Sequence, residues 1–440
     1  MSKSLSKLTV LFFLFFTICL SFYAQGLAER QIDKRNNRLI IMREYEQEMV
    51  KLEEEYRVRT DKKSYAAELM KLADKLMQKN MFGQVYDIAH LALKYDVNNK
   101  AAAKLLKLSW DDAQKKLLTP LSKQMNERGF EWDSRFGWVL KNSLSEYEKG
   151  RYYVDGKWLS LDELNLTHRN WENPWIIETD HFIVHAATDL KNGVISAEHA
   201  EIMYKAWVRE FIDFFGEDGG DRLFDQKAYD KFKIIVLHDQ KMFEDFIDEK
   251  FANDFLKSGA GFYYRETHTM YLYPYRGLIK MGINHECTHQ LFAEMARGEP
   301  AEKMPAVSEG LANYMQFGKV VDGRFVLRVE DNITIVQDKF KKSLMEFREE
   351  LGMHDLWHLS KDDFYGSGGR SALKYYGYAG SVVHFYMHHE NGLYAPEFMD
   401  FVADFYNGEL KGNIYEYIGV AKEKIIREYD RWLEDILAKY

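Results

Sequence analysis

The sequence predicts an α+β protein: a helical amino-terminal region, an aromatic-rich connector, and a domain whose few strands precede a mostly helical lobe. Three observations lead there. Apolar residues recur at helical spacing between Tyr65 and Leu108, compact apolar runs of strand length cluster between Tyr152 and Tyr273, and helical periodicity dominates beyond Pro274. Strands first and helices after oppose the alternation that a doubly wound parallel fold requires.

Composition sets the outer limits. With 440 residues, 46% hydrophobic, 15% aromatic and 6 prolines, the chain is globular rather than collagen-like, disordered or polytopic in a membrane. Sixty basic against 69 acidic side chains give a net charge of −9 with no Lys/Arg-rich block, so nucleic acid is not an expected partner.

The amino terminus has the pattern of a secretory signal. Lys3 and Lys7 precede an uncharged run, Leu8 to Leu20, and small residues follow at Ala24, Gly26 and Ala28. Residues 1–28 are therefore expected to be a cleaved leader. The run is shorter than the roughly 20 residues a membrane span needs, and no later segment reaches that length. Retention as a signal anchor is the alternative. The mature chain is thus expected outside the cytoplasm (periplasm, cell surface or medium), with no membrane span. With Cys19 in the leader, Cys287 is the remaining cysteine and no intramolecular disulfide can form.

Residues 29–125 form the helical region. A charged helix with sparse apolar positions, expected to be largely solvated, covers 29 to about 60. Then Leu69, Leu72, Ala73 and Leu76 make one stripe, and Val85, Ile88, Ala89, Leu91 and Ala92 a second after the Asn80–Gly83 turn. A third helix, Ala101–Leu108, follows. Helix, turn, helix, turn, helix over about 34 residues resembles one tetratricopeptide-like unit, which implies a possible surface for a protein partner. A generic helical hairpin fits the same residues.

The connector, 126–177, holds Trp132, Trp138, Trp158, Trp171 and Trp175. Asp155-Gly156 between Tyr152–Val154 and Lys157–Leu159 signals a hairpin with a type I′ turn. The tryptophans read as packing residues, with a carbohydrate-binding platform as the sharper alternative.

In the domain at 178–440, His181–His185 and Lys233–His238 read as strands, the second more buried. Ala197–Phe215 reads as an amphipathic helix and Gly261–Tyr264 with Met270–Tyr273 as a hairpin. A helix over Gly282–Met295 carries His285-Glu286-Cys287-Thr288-His289. Residues four apart share a helix face, so both imidazoles can reach one metal ion while Glu286 projects nearby to take a proton from water. Glu309 follows in a second helix that starts just after Pro305, and a turn across Gly298–Lys303 can bring it back beside the first. A His-His-Glu set with an open fourth position suits catalytic zinc.

At these residues the chain resembles the gluzincin metallopeptidases, whose pattern is His-Glu-x-x-His followed by a glutamate at this distance. It is similar in particular to a group of secreted bacterial gluzincin-like proteins with a Ser-Glu-Gly-x-Ala motif, here Ser308-Glu309-Gly310-Leu311-Ala312. The resemblance covers roughly 178–408. It implies one Zn²⁺ per chain held by His285, His289 and Glu309, a peptide or protein substrate, and hydrolysis of peptide bonds with Glu286 as general base. It also implies an oxyanion-stabilising residue, for which Tyr378 is the choice and Tyr376 and His384 are alternatives. Asn313 is placed to orient His285, and the strand before the metal helix is expected to be a sheet edge that pairs with extended substrate.

Two further histidine pairs, His354/His358 and His384/His388, share the four-residue spacing but lack the glutamate and the following Glu-Gly helix. They are expected to be surface or packing residues. No nucleophile elbow, P-loop or dinucleotide fingerprint competes; Gly366-Ser367-Gly368-Gly369 reads as a loop bordering the cleft. A metallopeptidase fold kept as a silent scaffold, recruiting partners through its helices, is the alternative function. A zinc hydrolase acting on another amide is a more distant one.

Overall fold

The structure, a computed structural model, describes residues 61–112, 114–215, 223, 231–296, 298, 304–321, 324–365 and 372–440, with scattered positions between 41 and 55. The leader, much of the charged helix, most of the 298–303 turn and the glycine loop at 366–369 lie outside the described residues.

Helices α1 (Lys62–Met77) and α2 (Phe82–Tyr95) form an antiparallel pair. Asp61 caps α1 by accepting the Ser64 N–H at 3.2 Å. The stripes Leu69/Leu72/Ala73/Leu76 and Val85/Ile88/Ala89/Ala92 meet in a small core of their own. Ile41, Tyr45, Met49 and Leu52 pack against that core, so the preceding helical segment lays one face on it. The third helix is shorter than expected, Lys100–Leu105. Gly83 docks the pair on the domain: a Cβ there would lie 2.6 Å from the Arg209 carbonyl, and its N–H donates to Asp213 Oδ1 at 2.8 Å.

Three hairpins follow: Ser109–Asp111/Lys116–Leu118, inside the 29–125 segment expected to be helical, then Phe130–Asp133/Gly137–Leu140 and Arg151–Val154/Lys157–Ser160 in the connector. The third has the turn its sequence demands, with Asp155 at φ 47 and Gly156 at φ 83. Trp138 Nε1 donates to the Glu178 carbonyl at 2.9 Å and Trp132 Nε1 to Glu198 Oε1 at 3.0 Å. These bonds tie the connector to the domain.

One five-stranded sheet organises the domain. Its strands are β1 (Trp175–Glu178), β2 (Phe182–Ala187), β3 (Phe232–Leu237), β4 (Gly261–Tyr264) and β5 (Thr269–Leu272), in the order β4-β5-β3-β2-β1. The inner three are parallel, and β1 and β4 are antiparallel edges. The sequence reading missed β1. Alternate residues point to opposite faces. Ala186, Val236 and Leu272 join the main core, whereas Ala187, Leu237 and Tyr271 meet Phe243, Phe246 and Ile247 of the helix Gln240–Lys250. The sheet is therefore covered on both faces.

Helix α3 (Leu190–Phe211) lies on the main-core face, where Gly193 lets it close on Ile177 and Ala186: a Cβ there would meet their atoms at 2.6 and 2.8 Å. Against α3 packs α4 (Ile279–Met295), then α5 (Pro305–Gln316), then α6 (Ala372–His388). Helices α5 and α6 cross closely because Gly310 and Gly380 sit at the contact; a Cβ would lie 3.0 Å from the Ala379 carbonyl in the first case and 2.1 Å from Asn313 Oδ1 in the second. No helix among the described residues is long and apolar enough to cross a membrane.

Candidate metal centre

Helix α4 has two working faces. Ile283, Cys287 and Leu291 recur every four residues and enter the core, where Cys287 is a fully buried free thiol. His285 and His289 recur in the same way on the face turned toward α5. Pro305 at the first turn starts α5, and Glu309 then points back at both imidazoles.

Glu309 Oε2 lies 3.1 Å from His285 Nε2 and 3.4 Å from His289 Nε2, and the two nitrogens are 3.3 Å apart. Bonds of about 2.0–2.1 Å to a tetrahedral zinc place its ligand atoms about 3.3 Å from one another. Two imidazole nitrogens and one carboxylate oxygen at these separations fit such an ion without rearrangement. They are the metal-capable cluster found among the described residues.

The neighbours hold the ligands in place. Gln316 Oε1 sits 3.1 Å from His285 Nδ1, so that nitrogen donates to it and Nε2 is left for the metal side. Tyr365 donates to Glu309 Oε1 at 2.5 Å, fixing the other carboxylate oxygen. Burial opposes a charged His285, yet the Glu309 hydrogen bond and the charges of Glu286 and Glu309 push it up to about 9. Burial likewise opposes the Glu309 carboxylate, but the charge of His289 and hydrogen bonds from both histidines hold it well below the usual carboxylate range.

Glu286 is buried beside the ligands, and burial raises it above an ordinary carboxyl, against the lowering charges of His285 and His289. The Tyr263 backbone N–H is its hydrogen-bond donor. Tyr263 belongs to β4, whose outer side has no strand partner among the described residues. Tyr273 N donates to Ala260 O at 3.1 Å, so the alternation of the antiparallel ladder turns the backbone groups of Gly261 and Tyr263 outward. Gly261 is needed here: a Cβ would lie 3.1 Å from Glu286 Cγ and 2.9 Å from the Tyr271 carbonyl.

Three sequence expectations need correction. Tyr378 is not at the centre: it is fully buried on the far side of α6 against Tyr429. Two positions earlier, and so on the opposite face of the helix, Tyr376 has its ring 5.9 Å from that of His285. Burial and the carboxylates of Glu309 and Glu286 keep its phenol protonated far above the ordinary range. His384 is also displaced, packed against Tyr314 in the α5–α6 core. Asn313 does not orient His285; its Oδ1 accepts from Asn332 at 2.9 Å and Thr334 at 3.2 Å. Gln316 takes that role. It stands seven residues after Glu309, two helical turns along one face, a spacing the sequence displays. Tyr365 has no comparable signal, because a separate short helix, Lys361–Tyr365, delivers it.

The other pairs belong to no metal-capable group found among the described residues. His388 Nε2 meets Tyr314 Oη at 3.0 Å, and His354 stacks edge-on with His358 at 4.8 Å. No family model, curated protein or solved structure matches the chain, so the reading of the centre rests on its own geometry.

Proposed function

We propose that the protein is a zinc-dependent metallopeptidase of gluzincin type that works outside the cytoplasm. One observation carries the reading: His285, His289 and Glu309 converge at tetrahedral-ion spacing, with the buried carboxyl of Glu286 between them and a free sheet edge. Zinc held by these three residues supplies Lewis acidity, which acidifies a water and polarises a carbonyl. Glu286 accepts the proton of the attacking water and carries it to the leaving amine. Tyr376 donates a hydrogen bond to the oxygen on which charge develops. The outward N–H and C=O of Gly261 and the C=O of Tyr263, whose N–H is held by Glu286, pair with an extended peptide and align its scissile bond, as in strand addition. Gln316 and Tyr365 hold His285 and Glu309 against rotation. Export is carried by the sequence pattern of residues 1–28 alone. Metal analysis, together with digestion of a peptide library by the wild type and by Glu286→Gln, tests the reading; purified protein that takes up no zinc would overturn it.

A further inference from the structure

A cavity of about 230 Å³ lies where the start of α5 meets the carboxy-terminal part of the chain. Met304 (just ahead of Pro305), Phe401 of the helix Ala395–Asn407, Leu410 and Ile414 give it apolar walls. His354 and Tyr415 share the lining, with their ring centroids 5.7 Å apart. The Tyr415 hydroxyl and His354 Nδ1 are both buried, and neither has a hydrogen-bond partner among the described residues. Tyr415 as a whole is only 8% exposed. Asn413, the next polar group of the lining, is already committed: its Oδ1 accepts from the Tyr415 N–H at 3.0 Å and the Glu416 N–H at 3.2 Å. A buried polar atom left unpaired costs free energy, so two of them side by side in one cavity point to an occupant. Water settles where it finds about two to four polar partners, and the walls around these two atoms are largely apolar.

Charge narrows the occupant further. No Asp, Glu, Lys or Arg stands among the described residues that line the cavity. Burial and the charge of nearby Lys422 hold the His354 imidazole toward its neutral form, and burial together with the Asp355 and Glu423 charges keeps the Tyr415 phenol protonated. An ionised ligand would lose its water here and gain no counter-charge.

We propose that this cavity is a binding site for a small uncharged aromatic alcohol, one ring carrying a hydroxyl head. The ring packs against Met304, Phe401, Leu410 and Ile414, and the head hydrogen-bonds the Tyr415 hydroxyl and His354 Nδ1. The size suits such a molecule, since an apolar cavity of about 150 Å³ already holds benzene. The site stands apart from the peptidase reading and does not depend on it.

Calorimetric titration of the full chain with p-cresol, toluene and p-toluate tests the assignment. p-Cresol is expected to bind, with toluene (no head) and p-toluate (charged head) each about tenfold weaker or more. Tyr415→Phe removes only the unpartnered oxygen; it should cut p-cresol affinity about five- to tenfold, leave toluene binding in place and preserve the melting temperature. His354→Phe should reproduce the loss for p-cresol. In carbon-13 methyl spectra, the Met304 resonance, assigned through Met304→Leu, should move on addition of p-cresol. No p-cresol binding at millimolar concentration would mean that the cavity holds water only, and would overturn the inference. Binding that ignores Tyr415→Phe, or p-toluate bound as tightly as p-cresol, would overturn it as well. Zinc content and peptide cleavage play no part in these readouts, so failure here and failure of the peptidase reading are told apart.

Discussion

Helices α4 and α6 both present two imidazoles four residues apart, and the two pairs live in opposite chemical surroundings. His285 and His289 face Glu309 and Glu286, which favour positive charge at the site. His384 and His388 face Tyr314 and Asn332; burial holds both toward the neutral form, in His388 against the raising charges of Glu210 and Glu330, and each lies close to the other. Helical spacing alone therefore puts two nitrogens on one face without making a site. What makes one is the carboxylate that the next helix turns toward them. For α4 that is Glu309, delivered by Pro305 and by the close α5–α6 crossing at Gly310.

Exchanging the fates of the two pairs breaks the comparison most sharply. Glu309→Ala should abolish stoichiometric zinc and all hydrolysis, whereas His388→Ala should keep about one zinc per chain and cost only about 1–3 kcal/mol of stability. Metal analysis beside chemical denaturation reads both. The tyrosines of α6 offer the next contrast. Tyr376→Phe should lower kcat by roughly 10²- to 10³-fold with zinc retained, as loss of an oxyanion donor does. Tyr378→Phe should leave kcat unchanged, since the Tyr378 hydroxyl is buried, has no hydrogen-bond partner among the described residues and faces Tyr429, away from the candidate ligands.

A smaller effect separates Gln316 from Asn313. Gln316→Ala should weaken zinc affinity by about 10- to 100-fold, measured by competition with a chelator. Asn313→Ala should leave that affinity in place and lower the melting temperature, because the buried Asn332 amide loses its nearest acceptor. The smallest effect concerns buried histidines outside the centre. Burial pushes His90 and His199 down to about 4, so the unfolded chain binds protons that the folded chain refuses between about pH 6.5 and 4. Stability is full above that window and falls as pH drops through it, by about 1–3 kcal/mol per histidine. His199→Asn should flatten part of the slope in pH-dependent denaturation.

Much of this was legible in the residues. The candidate metal ligands follow from the i, i+4 rule and a second helix opened by proline, and the second connector hairpin follows from Asp155-Gly156. Failures came where tertiary packing decides. Helix α6 is apolar nearly all round, so its sequence does not say whether Tyr376 or Tyr378 faces the candidate metal centre; rotation is set by the glycine crossing with α5. Asn313 lies one turn after Glu309 and is equally placed to serve His285 on a helical wheel, yet Asn332 arrives from a later loop and claims it. Strand β1 was missed because the Trp-rich run around it reads as connector, and it becomes a strand by pairing with β2.

The central claim is that the α4–α5 constellation binds zinc in order to hydrolyse peptides. The most direct measurement digests one peptide library with zinc-quantified wild type and Glu286→Gln side by side. The account requires about one zinc in both proteins, and cleavage by the wild type that falls roughly 10²- to 10⁴-fold in the variant. Equal zinc with no cleavage by either protein would contradict it and favour a binding scaffold; equal cleavage by both would remove Glu286 from the chemistry.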